Sequence, residues 1–337
     1  MHAGILGISF YLPQRRETNE DLRRENPDWR MDELYEKSGI SARHVAGDDE
    51  TASDLGYNAA ARLLHRSVVP PEEIDYLIYC TQSPDHFLPS AACVLQKRLG
   101  LGTHVGAFDY NLGCSGFIYG LQIAKSMVTS GVTRNVLLIT ADTYSKFIHA
   151  RDRTVRTLFG DGAAATLIGR SDGPGRIGDF VVGTDGTGAD KMIVPAGGLR
   201  MPSSPETADE ITDDADCTRS KDNLFMDGPA IFSFVITTVP RTLKALLQKT
   251  GLSSDDVDWY VYHQANKYML EHLARRSKIP DDKMIIDVET TGNTVSASIP
   301  IAIQRSVEAG KIRVGHRLVL VGFGVGYSWG ACDVVWE

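Results

Sequence analysis

An internal repeat is the feature that most constrains how this chain can fold. Residues 63–82 and 246–264 share one order: the end of an apolar helix, an acidic turn, Asp before an aromatic residue, an apolar strand and a closing Gln. Residues 134–140 and 317–323 repeat an apolar strand that begins with Arg. Chance similarity of two βα units is the alternative, and the shared detail disfavours it. We therefore predict two copies of one α/β unit, packed about a pseudo-twofold axis.

Composition and length fit this prediction. The 337 residues are 42% hydrophobic and 23% charged, as in ordinary globular proteins. We predict an N-terminal half at 1–175 and a C-terminal half at 176–337. A surface excursion near 197–222 is rich in Pro, Ser and acidic residues and lacks a hydrophobic period. It is either a lid or partner contact, or a disordered spacer.

Charge and cysteine usage exclude several classes. A net charge of −8 and a pI near 5.6 argue against a nucleic-acid-binding surface. The five cysteines lie far apart without a CxxC pair, so neither a metal site nor a disulfide framework is expected. The N-terminal residues have no basic region before a short apolar run, and no stretch has the length of a membrane span. We expect a cytoplasmic protein with no membrane contact.

Hydrophobic periodicity predicts the main elements of the first half. Strands are predicted at 2–12, 76–81, 105–112, 135–141 and 163–168, and the strand end at 105–112 is expected to be buried. Helices are predicted from 18 (with Asn19 as the N-cap) and at 32–38, 51–65 and 90–99.

Cys114 lies where a strand pattern changes abruptly into a helix pattern. Gly113 and Gly116 flank it, and from Phe117 apolar residues recur at helical spacing. A cysteine at a helix N-terminus is expected to be stabilised as the thiolate, which is the nucleophilic form. The alternative is a small buried hydrophobic residue.

His263 and Asn293 complete a set of three polar residues that each precede a helix. His263 follows an apolar strand directly, and ligands of α/β sheets gather at the carboxyl ends of such strands. Taken alone, a histidine more often has a structural role than a catalytic one, and an asparagine beside glycine usually forms a turn. Together with Cys114 they predict an acyl-thioester on the cysteine. An uncharged His and Asn would then donate hydrogen bonds to a thioester oxygen as an enolate develops.

Four motifs in order resemble those of β-ketoacyl-acyl-carrier-protein synthase III. They are Asn-Leu-Gly-Cys-Ser-Gly-Phe at 111–117, Tyr-His-Gln-Ala-Asn at 262–266, Gly-Asn-Thr-Val-Ser-Ala-Ser-Ile-Pro at 292–300 and Phe-Gly-Val-Gly-Tyr-Ser-Trp-Gly at 323–330. The resemblance covers the chain apart from the excursion. It implies a thiolase-like α/β fold, with two duplicated βαβαβαββ halves in a five-layered αβαβα sandwich. It also implies a homodimer, in which an acyl-CoA primer acylates the cysteine and a malonyl-carrier protein is condensed with it by a decarboxylative Claisen reaction.

The resemblance assigns roles residue by residue. Cys114 would be the nucleophile, and His263 and Asn293 would stabilise the enolate. The Cys114 and Val325 backbone N–H groups would form the oxyanion hole. Substrate contacts would come from Phe323, Arg153, Lys37, Leu158, Met226, Phe87 and Leu88. Phe87 and Leu88 would close the acyl pocket of the other subunit. Carrier protein would dock on Lys267, Arg275 and Arg276. The resemblance implies no cofactor or metal, because CoA thioesters and the phosphopantetheine carrier are substrates.

The entrance departs from the family pattern. Glu33 and Lys37 stand where the family has a Trp and an Arg near the adenine, Pro229 replaces an Asn of the pantetheine channel, and Tyr268 replaces a basic residue. Two enzyme alternatives stay open: condensation, in fatty-acid initiation or a specialised acyl or polyketide pathway, and acyl transfer to a non-malonyl acceptor without decarboxylation. A non-catalytic partner of a carrier protein is disfavoured by the complete Cys–His–Asn set.

Overall fold

A computed structural model describes residues 2–171, 173 and 175–337. Its strands are β1 (His2–Tyr11), β2 (Arg16–Thr18), β3 (Ala42–His44), β4 (Tyr76–Cys80), β5 (Gly106–Tyr110), β6 (Asn135–Asp142), β7 (Gly162–Ser171), β8 (Arg176–Thr184), β9 (Met192–Ile193), β10 (Ile211–Thr212), β11 (Thr218–Arg219), β12 (Phe225–Met226), β13 (Trp259–Tyr262), β14 (Arg317–Gly324) and β15 (Ser328–Val335). The strands predicted in the first half are present, with ends that differ by a few residues.

The helices also follow the predicted periodicity. They are α1 (Asn19–Glu25), α2 (Met31–Ser38), α3 (Ala52–Arg66), α4 (Ala91–Arg98), α5 (Gly116–Thr129), α6 (Arg153–Arg156), α7 (Gly228–Thr250), α8 (Lys267–Ser277) and α9 (Ser298–Glu308). The predicted N-cap of α1 was wrong by one residue. Thr18 is the cap, because its hydroxyl accepts the Asp21 N–H at 3.1 Å while the Asp21 carboxylate accepts the Thr18 N–H at 2.9 Å.

The first sheet is mixed and has the order β1-β7-β6-β4-β5. β4 runs parallel to β5 and β6, whereas β7 is antiparallel to both β6 and β1. All eight residues of β6 are buried, which explains the apolar run at 136–139. β5 is the edge strand and its residues are only half-buried, so the prediction of a buried strand end at 105–112 was wrong for this single chain.

The second sheet repeats the first in order and direction. Its order β8-β15-β14-β13 matches β1-β7-β6-β4, and again only the β13–β14 pair is parallel. An isolated parallel bridge between Tyr260 and Met284 stands where β5 stands in the first sheet. The predicted α/β duplication is thereby confirmed. The boundary at 175/176 stays a prediction, and it falls beside Pro174, which lies outside the described residues.

Helices and sheets alternate in five layers. α3 and α4 pack on the outer face of the first sheet, and α5 and α9 lie between the two sheets in the largest buried cluster. α7 and α8 cover the outer face of the second sheet. α7 is long and apolar enough to cross a membrane by length and composition, but Val235, Val239 and Leu246 pack into that layer. It is a layer of the fold rather than a membrane span.

The excursion at 197–222 is an ordered strap rather than a disordered spacer. β10 and β11 pair within it, and its Cys217 side chain is buried. It is fixed to the chain around α6: Arg219 forms an ion pair with the buried Asp152 at 2.8 Å, and the Thr218 N–H donates to the Arg151 carbonyl at 3.3 Å. A sequence without hydrophobic period can be ordered in this way because polar contacts to the body replace a core of its own.

Candidate active site

Cys114 lies between β5 and the first turn of α5, as the glycine-flanked sequence predicted. Its side chain is 4% exposed. Gly116 is required by close approach, since a Cβ there would collide with the Cys80 sulfur. The turn therefore places the thiol at the helix N-terminus, pointing into the interior between the two halves.

The expectation of a stabilised thiolate was wrong for the free chain. Burial raises the pKa of the Cys114 thiol to about 12, and the nearby Asp142 carboxylate raises it further. The backbone N–H groups of Cys114 and Val325 act in the opposite direction but do not outweigh burial. The sulfur is therefore a thiol at neutral pH.

The backbone at Gly324 and Val325 lies directly against this sulfur. A Cβ at Gly324 would stand 2.9 Å from both the Cβ and the Sγ of Cys114. Glycine is needed at 324 because only a residue without a side chain leaves that space for the thiol. The predicted oxyanion donors, the N–H groups of Cys114 and Val325, both face the sulfur.

His263 follows the last residue of β13 and is buried beside Phe323, with ring centroids 5.5 Å apart. Its Nδ1 lies 2.8 Å from the Ser298 Oγ. Burial lowers the pKa of the imidazole to about 3. The ring is thus neutral over the physiological range, as predicted for a hydrogen-bond donor to a thioester oxygen.

Asn293 is held by the opposite half of the molecule. Its backbone N–H donates to the Leu158 carbonyl at 2.8 Å, and its carbonyl accepts the Gly160 N–H at 3.1 Å. Its side-chain oxygen accepts the Val295 N–H at 2.9 Å, so the NH2 group is the end of the amide left to donate.

One cavity of about 210 Å³ joins the predicted residues. Cys114, His263, Asn293 and Phe323 line it, and so do the predicted acyl-pocket residues Leu158 and Met226. Most of the remaining lining is apolar and comprises Phe159, Met192, Gly228, Ile231, Phe232, Val235, Ala265, Asn266, Met269 and Gly324. A buried thiol, two facing N–H groups, a neutral imidazole and an amide in an apolar cavity are suited to thioester chemistry.

Comparisons with known proteins agree with this geometry. The model of the 3-oxoacyl-[acyl-carrier-protein] synthase III C terminus matches residues 247–336, and the model of 3-oxoacyl-[acyl-carrier-protein] synthase III matches residues 108–186. The β-ketoacyl-[acyl-carrier-protein] synthase III of Caldanaerobacter subterraneus is 38% identical over 99% of this chain and 98% of its own. This chain belongs to the β-ketoacyl-acyl-carrier-protein synthase III family. The family is one of condensing acyltransferases.

Solved structures of the family superpose over the whole chain. A 3-oxoacyl-(acyl-carrier-protein) synthase III is 45% identical with a TM-score of 0.98, and both chains are fully covered. The enzyme of Burkholderia xenovorans is 33% identical with a TM-score of 0.92, and the match covers 100% of this chain and 95% of that enzyme. The priming β-ketosynthase of the R1128 polyketide pathway is 31% identical with a TM-score of 0.86, and the match covers 100% of this chain and 96% of that enzyme. The thiolase-like fold is confirmed.

Other predicted contacts of the synthase lie outside the catalytic cavity. Lys37 and Arg153 line a separate surface cavity of about 400 Å³ together with Arg30 and Glu33. The Arg153 guanidinium donates to the Ala215 carbonyl at 2.5 Å, so the strap holds it. Glu33 pairs with Arg30 at 3.0 Å, which adds an acidic group where the family pattern has an aromatic one.

Phe87 and Leu88 do not line the catalytic cavity of their own chain. Their side chains are 77% and 82% exposed, unusual for large apolar residues. Lys267, Arg275 and Arg276 are exposed on α8, where Lys267 pairs with Glu271 at 3.9 Å. The roles assigned to these five residues remain predictions.

Sequence reasoning missed Asp142 and Ser298. Asp142 ends β6 and accepts hydrogen bonds from the Gln82 N–H at 2.8 Å and the Ser296 hydroxyl at 2.5 Å. Burial raises the pKa of its carboxyl to about 7. The repeat could have indicated Asp142, because it is the last residue of β6, the strand that corresponds to β14 in the second sheet. Ser298 gave no signal of its own among the small residues of 294–298.

Proposed function

We propose that this protein condenses an acyl primer, carried on Cys114, with a malonyl thioester. One observation carries the proposal: the Cys114 thiol, a neutral His263 and the Asn293 amide line the same apolar cavity. A thiol nucleophile needs an oxyanion hole, whereas a malonyl thioester needs donors for its carbonyl oxygen. Both groups of donors are present: the Cys114 and Val325 N–H groups at the sulfur, and the His263 and Asn293 side chains in the cavity lining.

In the first proposed step Cys114 exchanges its hydrogen for an acyl group from CoA. The sulfur attacks the thioester carbonyl, and the Cys114 and Val325 N–H groups stabilise the negative oxygen of the tetrahedral intermediate. The C–S bond to CoA breaks, and the proton of the Cys114 thiol ends on the departing CoA thiol. The apolar lining, with Leu158, Met226 and Ile231, receives the acyl chain.

In the second step the malonyl thioester loses CO2. Hydrogen bonds from the His263 ring and the Asn293 NH2 group to the thioester oxygen stabilise the enolate that forms as the C–C bond breaks. An uncharged pair suits this role, because the burial that keeps His263 neutral also strengthens its hydrogen bond. The enolate carbon then attacks the acyl carbonyl on Cys114. The sulfur leaves, takes up one proton and returns as the thiol, and the β-ketoacyl thioester departs. These steps need no resident cofactor.

The predicted assembly follows from the same proposal. Phe87 and Leu88 of each subunit would close the acyl cavity of the other in a homodimer, which would cover their exposed side chains. Acyl-CoA would enter past Lys37 and Arg153, and an acyl carrier protein would deliver malonate. We propose a cytoplasmic location.

The experiment is intact-protein mass spectrometry after incubation with acyl-CoAs of different chain length, for the wild type and Cys114→Ala. An adduct on the wild type alone identifies the nucleophile and the primer. An acetyl adduct supports fatty-acid initiation, whereas a longer or unusual group supports a specialised pathway. The absence of an adduct from every CoA and carrier-bound acyl donor contradicts the proposal.

Release of labelled CO2 separates the two enzyme alternatives. After acylation, malonyl-carrier protein or malonyl-CoA is added and both CO2 and the β-ketoacyl product are measured. CO2 with product supports condensation. An acyl-enzyme that transfers its group to an amine or hydroxyl acceptor, with no CO2 from either malonyl donor, contradicts it and supports the non-malonyl alternative.

A further inference from the structure

We propose that Arg219, in the strap, is a positioning residue that determines which acyl-CoA primers the enzyme accepts. This inference rests on the proposed function, since it concerns the acylation step. Arg219 is the last residue of β11, and its side chain is 18% exposed. Its guanidinium contacts Asp152, Asp213 and the Phe225 ring. These three residues belong to the start of α6, to the turn between β10 and β11, and to β12. One side chain therefore joins three separate parts of the site.

The ion pair between Arg219 and Asp152 is largely removed from water. The Arg219 Nη1 atom lies 2.8 Å from the Asp152 Oδ2 atom, and the Asp152 side chain is fully buried. Asp152 is also the N-cap of α6, because its Oδ1 atom accepts the Thr154 N–H at 3.0 Å. Loss of one partner from such a pair leaves an uncompensated buried charge. Arg219 therefore fixes the place where α6 begins.

The elements that Arg219 joins carry part of the wall of the catalytic cavity. Leu158, two residues after α6, and Met226 of β12 both line that cavity and pack against the apolar cluster that contains Cys114. α6 is in contact with β12. The Arg219 guanidinium carbon lies 5.2 Å from the centre of the Phe225 ring, beside Met226, which is within the range of a cation–π contact. Without Arg219, the two sides of the acyl cavity would no longer be held together.

The contact with Asp213 extends to the surface cavity past which acyl-CoA is proposed to enter. The Arg219 Nη2 atom lies 2.5 Å from the Asp213 Oδ2 atom. The Oδ1 atom of Asp213 accepts the N–H groups of Ala215 and Cys217, each at 3.0 Å, and so shapes the turn. The Ala215 carbonyl of this turn accepts the Arg153 guanidinium at 2.5 Å, and Arg153 lines the surface cavity. Arg219 therefore also sets the position of Arg153.

A second ion pair between the strap and the body lacks these connections. Arg151 pairs with Glu210, and the two side chains are 58% and 50% exposed, so their contribution to stability is small. Neither is among the described residues that line the catalytic cavity or the surface cavity. Arg151→Ala keeps the backbone carbonyl that accepts the Thr218 N–H. It is therefore a matched control for the loss of an arginine that holds the strap.

The test compares acylation of Cys114 in the wild type, Arg219→Ala and Arg151→Ala. Each protein is given an equimolar mixture of saturated acyl-CoAs of increasing chain length, and intact-protein mass spectrometry identifies the acyl groups it takes up. The maximal rate of acylation and the half-saturating donor concentration are then measured with the preferred acyl-CoA. The same measurement is made with that acyl group on pantetheine, which lacks the nucleotide of CoA.

We expect Arg219→Ala to take up longer acyl groups than the wild type, because Leu158 and Met226 are no longer held. The half-saturating concentration of acyl-CoA should rise about tenfold, as expected when one charged hydrogen bond from Arg153 is weakened. The value for acyl-pantetheine and the maximal rate should stay near those of the wild type. Arg153→Ala should weaken acyl-CoA in the same way, and combining it with Arg219→Ala should add little, because both changes remove one contact. Arg151→Ala should match the wild type.

Asp213→Asn keeps the test decisive if Arg219→Ala does not fold. This change keeps one oxygen for the turn N–H groups but places an NH2 group where Arg219 needs an acceptor. It should raise the half-saturating concentration of acyl-CoA without changing the acyl groups accepted. A folded Asp213→Asn with wild-type values would overturn the inference.

Three further outcomes would overturn the inference and leave the proposed function standing. The first is an Arg219→Ala variant with the primers and the donor concentrations of the wild type. The second is equal weakening of acyl-CoA and acyl-pantetheine with a lower maximal rate, which indicates a general structural change. The third is the same set of changes in Arg151→Ala. A wild type that takes up no acyl group from any donor would refute the proposed function and this inference together.

Discussion

The Nδ1 atom of His263 lies 2.8 Å from the Oγ atom of Ser298, and that hydroxyl oxygen also accepts the Gln264 N–H at 3.3 Å. We propose that the Ser298 hydroxyl donates its hydrogen to Nδ1 while its oxygen accepts the amide N–H. This would place the imidazole proton on Nε2, the atom that can then donate to a substrate. Ser298 would then be a positioning residue for His263.

Ser298→Ala should lower the rate of malonyl decarboxylation about tenfold, because the tautomer is no longer selected. Acylation of Cys114 should stay near the wild-type rate. Ser298→Thr keeps the hydroxyl and should recover most of the activity. Nitrogen-15 chemical shifts of His263 provide an independent readout, and an unchanged Nε2–H tautomer in Ser298→Ala would contradict the role.

His263→Ala and Asn293→Ala should separate the two half-reactions. Each removes one donor to the enolate oxygen, and loss of such a donor costs about 10²–10³ in rate. Labelled CO2 release reports this step, and mass spectrometry of the acyl-enzyme reports the first step, which should be retained. Cys93→Ala, at an exposed cysteine away from the cavity, is the control. An equal loss of acylation in both variants would disprove the assignment.

The reactivity of Cys114 should depend on pH through Asp142. Because the pKa of the thiol is raised to about 12, alkylation by iodoacetamide should accelerate throughout pH 6–9 without a plateau. Asp142, whose pKa is about 7, is neutral at pH 5 and charged at pH 9. The charge of Asp142 raises the pKa of the thiol. Cys114 of the Asp142→Asn variant should therefore be alkylated several-fold faster than that of the wild type at pH 9, and at the same rate at pH 5.

Ser296→Ala is the control for this prediction. It removes a hydrogen bond that lowers the pKa of Asp142 but keeps the carboxyl group, which is still charged at pH 9, so at that pH the thiol should react like that of the wild type. The same acceleration by Asp142→Asn at both pH values would indicate a structural change rather than the loss of a charge.

Leu88→Asp should weaken the proposed homodimer. Leu88 is 82% exposed in the single chain, and burying a leucine contributes about 1.5–3 kcal/mol. Each dimer would contain the change twice, so dissociation at micromolar concentration is expected by analytical ultracentrifugation, together with slower acylation. Val68→Asp, at an apolar residue that is 95% exposed on another loop, should behave like the wild type. A stable dimer of Leu88→Asp with normal acylation would exclude this residue from the interface.

Much of the fold could be predicted because the periodicities were unambiguous. The apolar run of β6 and the helical spacing after Phe117 depend on local sequence alone, and the repeat extended these predictions to the second sheet. The strap at 197–222 could not be predicted in the same way. Its order depends on ion pairs such as Arg219–Asp152, between residues 67 positions apart.

By itself, the sequence determined the duplicated α/β fold and which three side chains meet. Residues that precede helices in corresponding places of a repeated α/β unit are expected at one site, so Cys114, His263 and Asn293 could be named from their positions. Only the tertiary structure decided their protonation. Burial between two sheets removes water from each group, and the uncharged form of an imidazole or a thiol is favoured wherever water is absent. That effect depends on what surrounds a residue in space, which its neighbours in sequence do not specify.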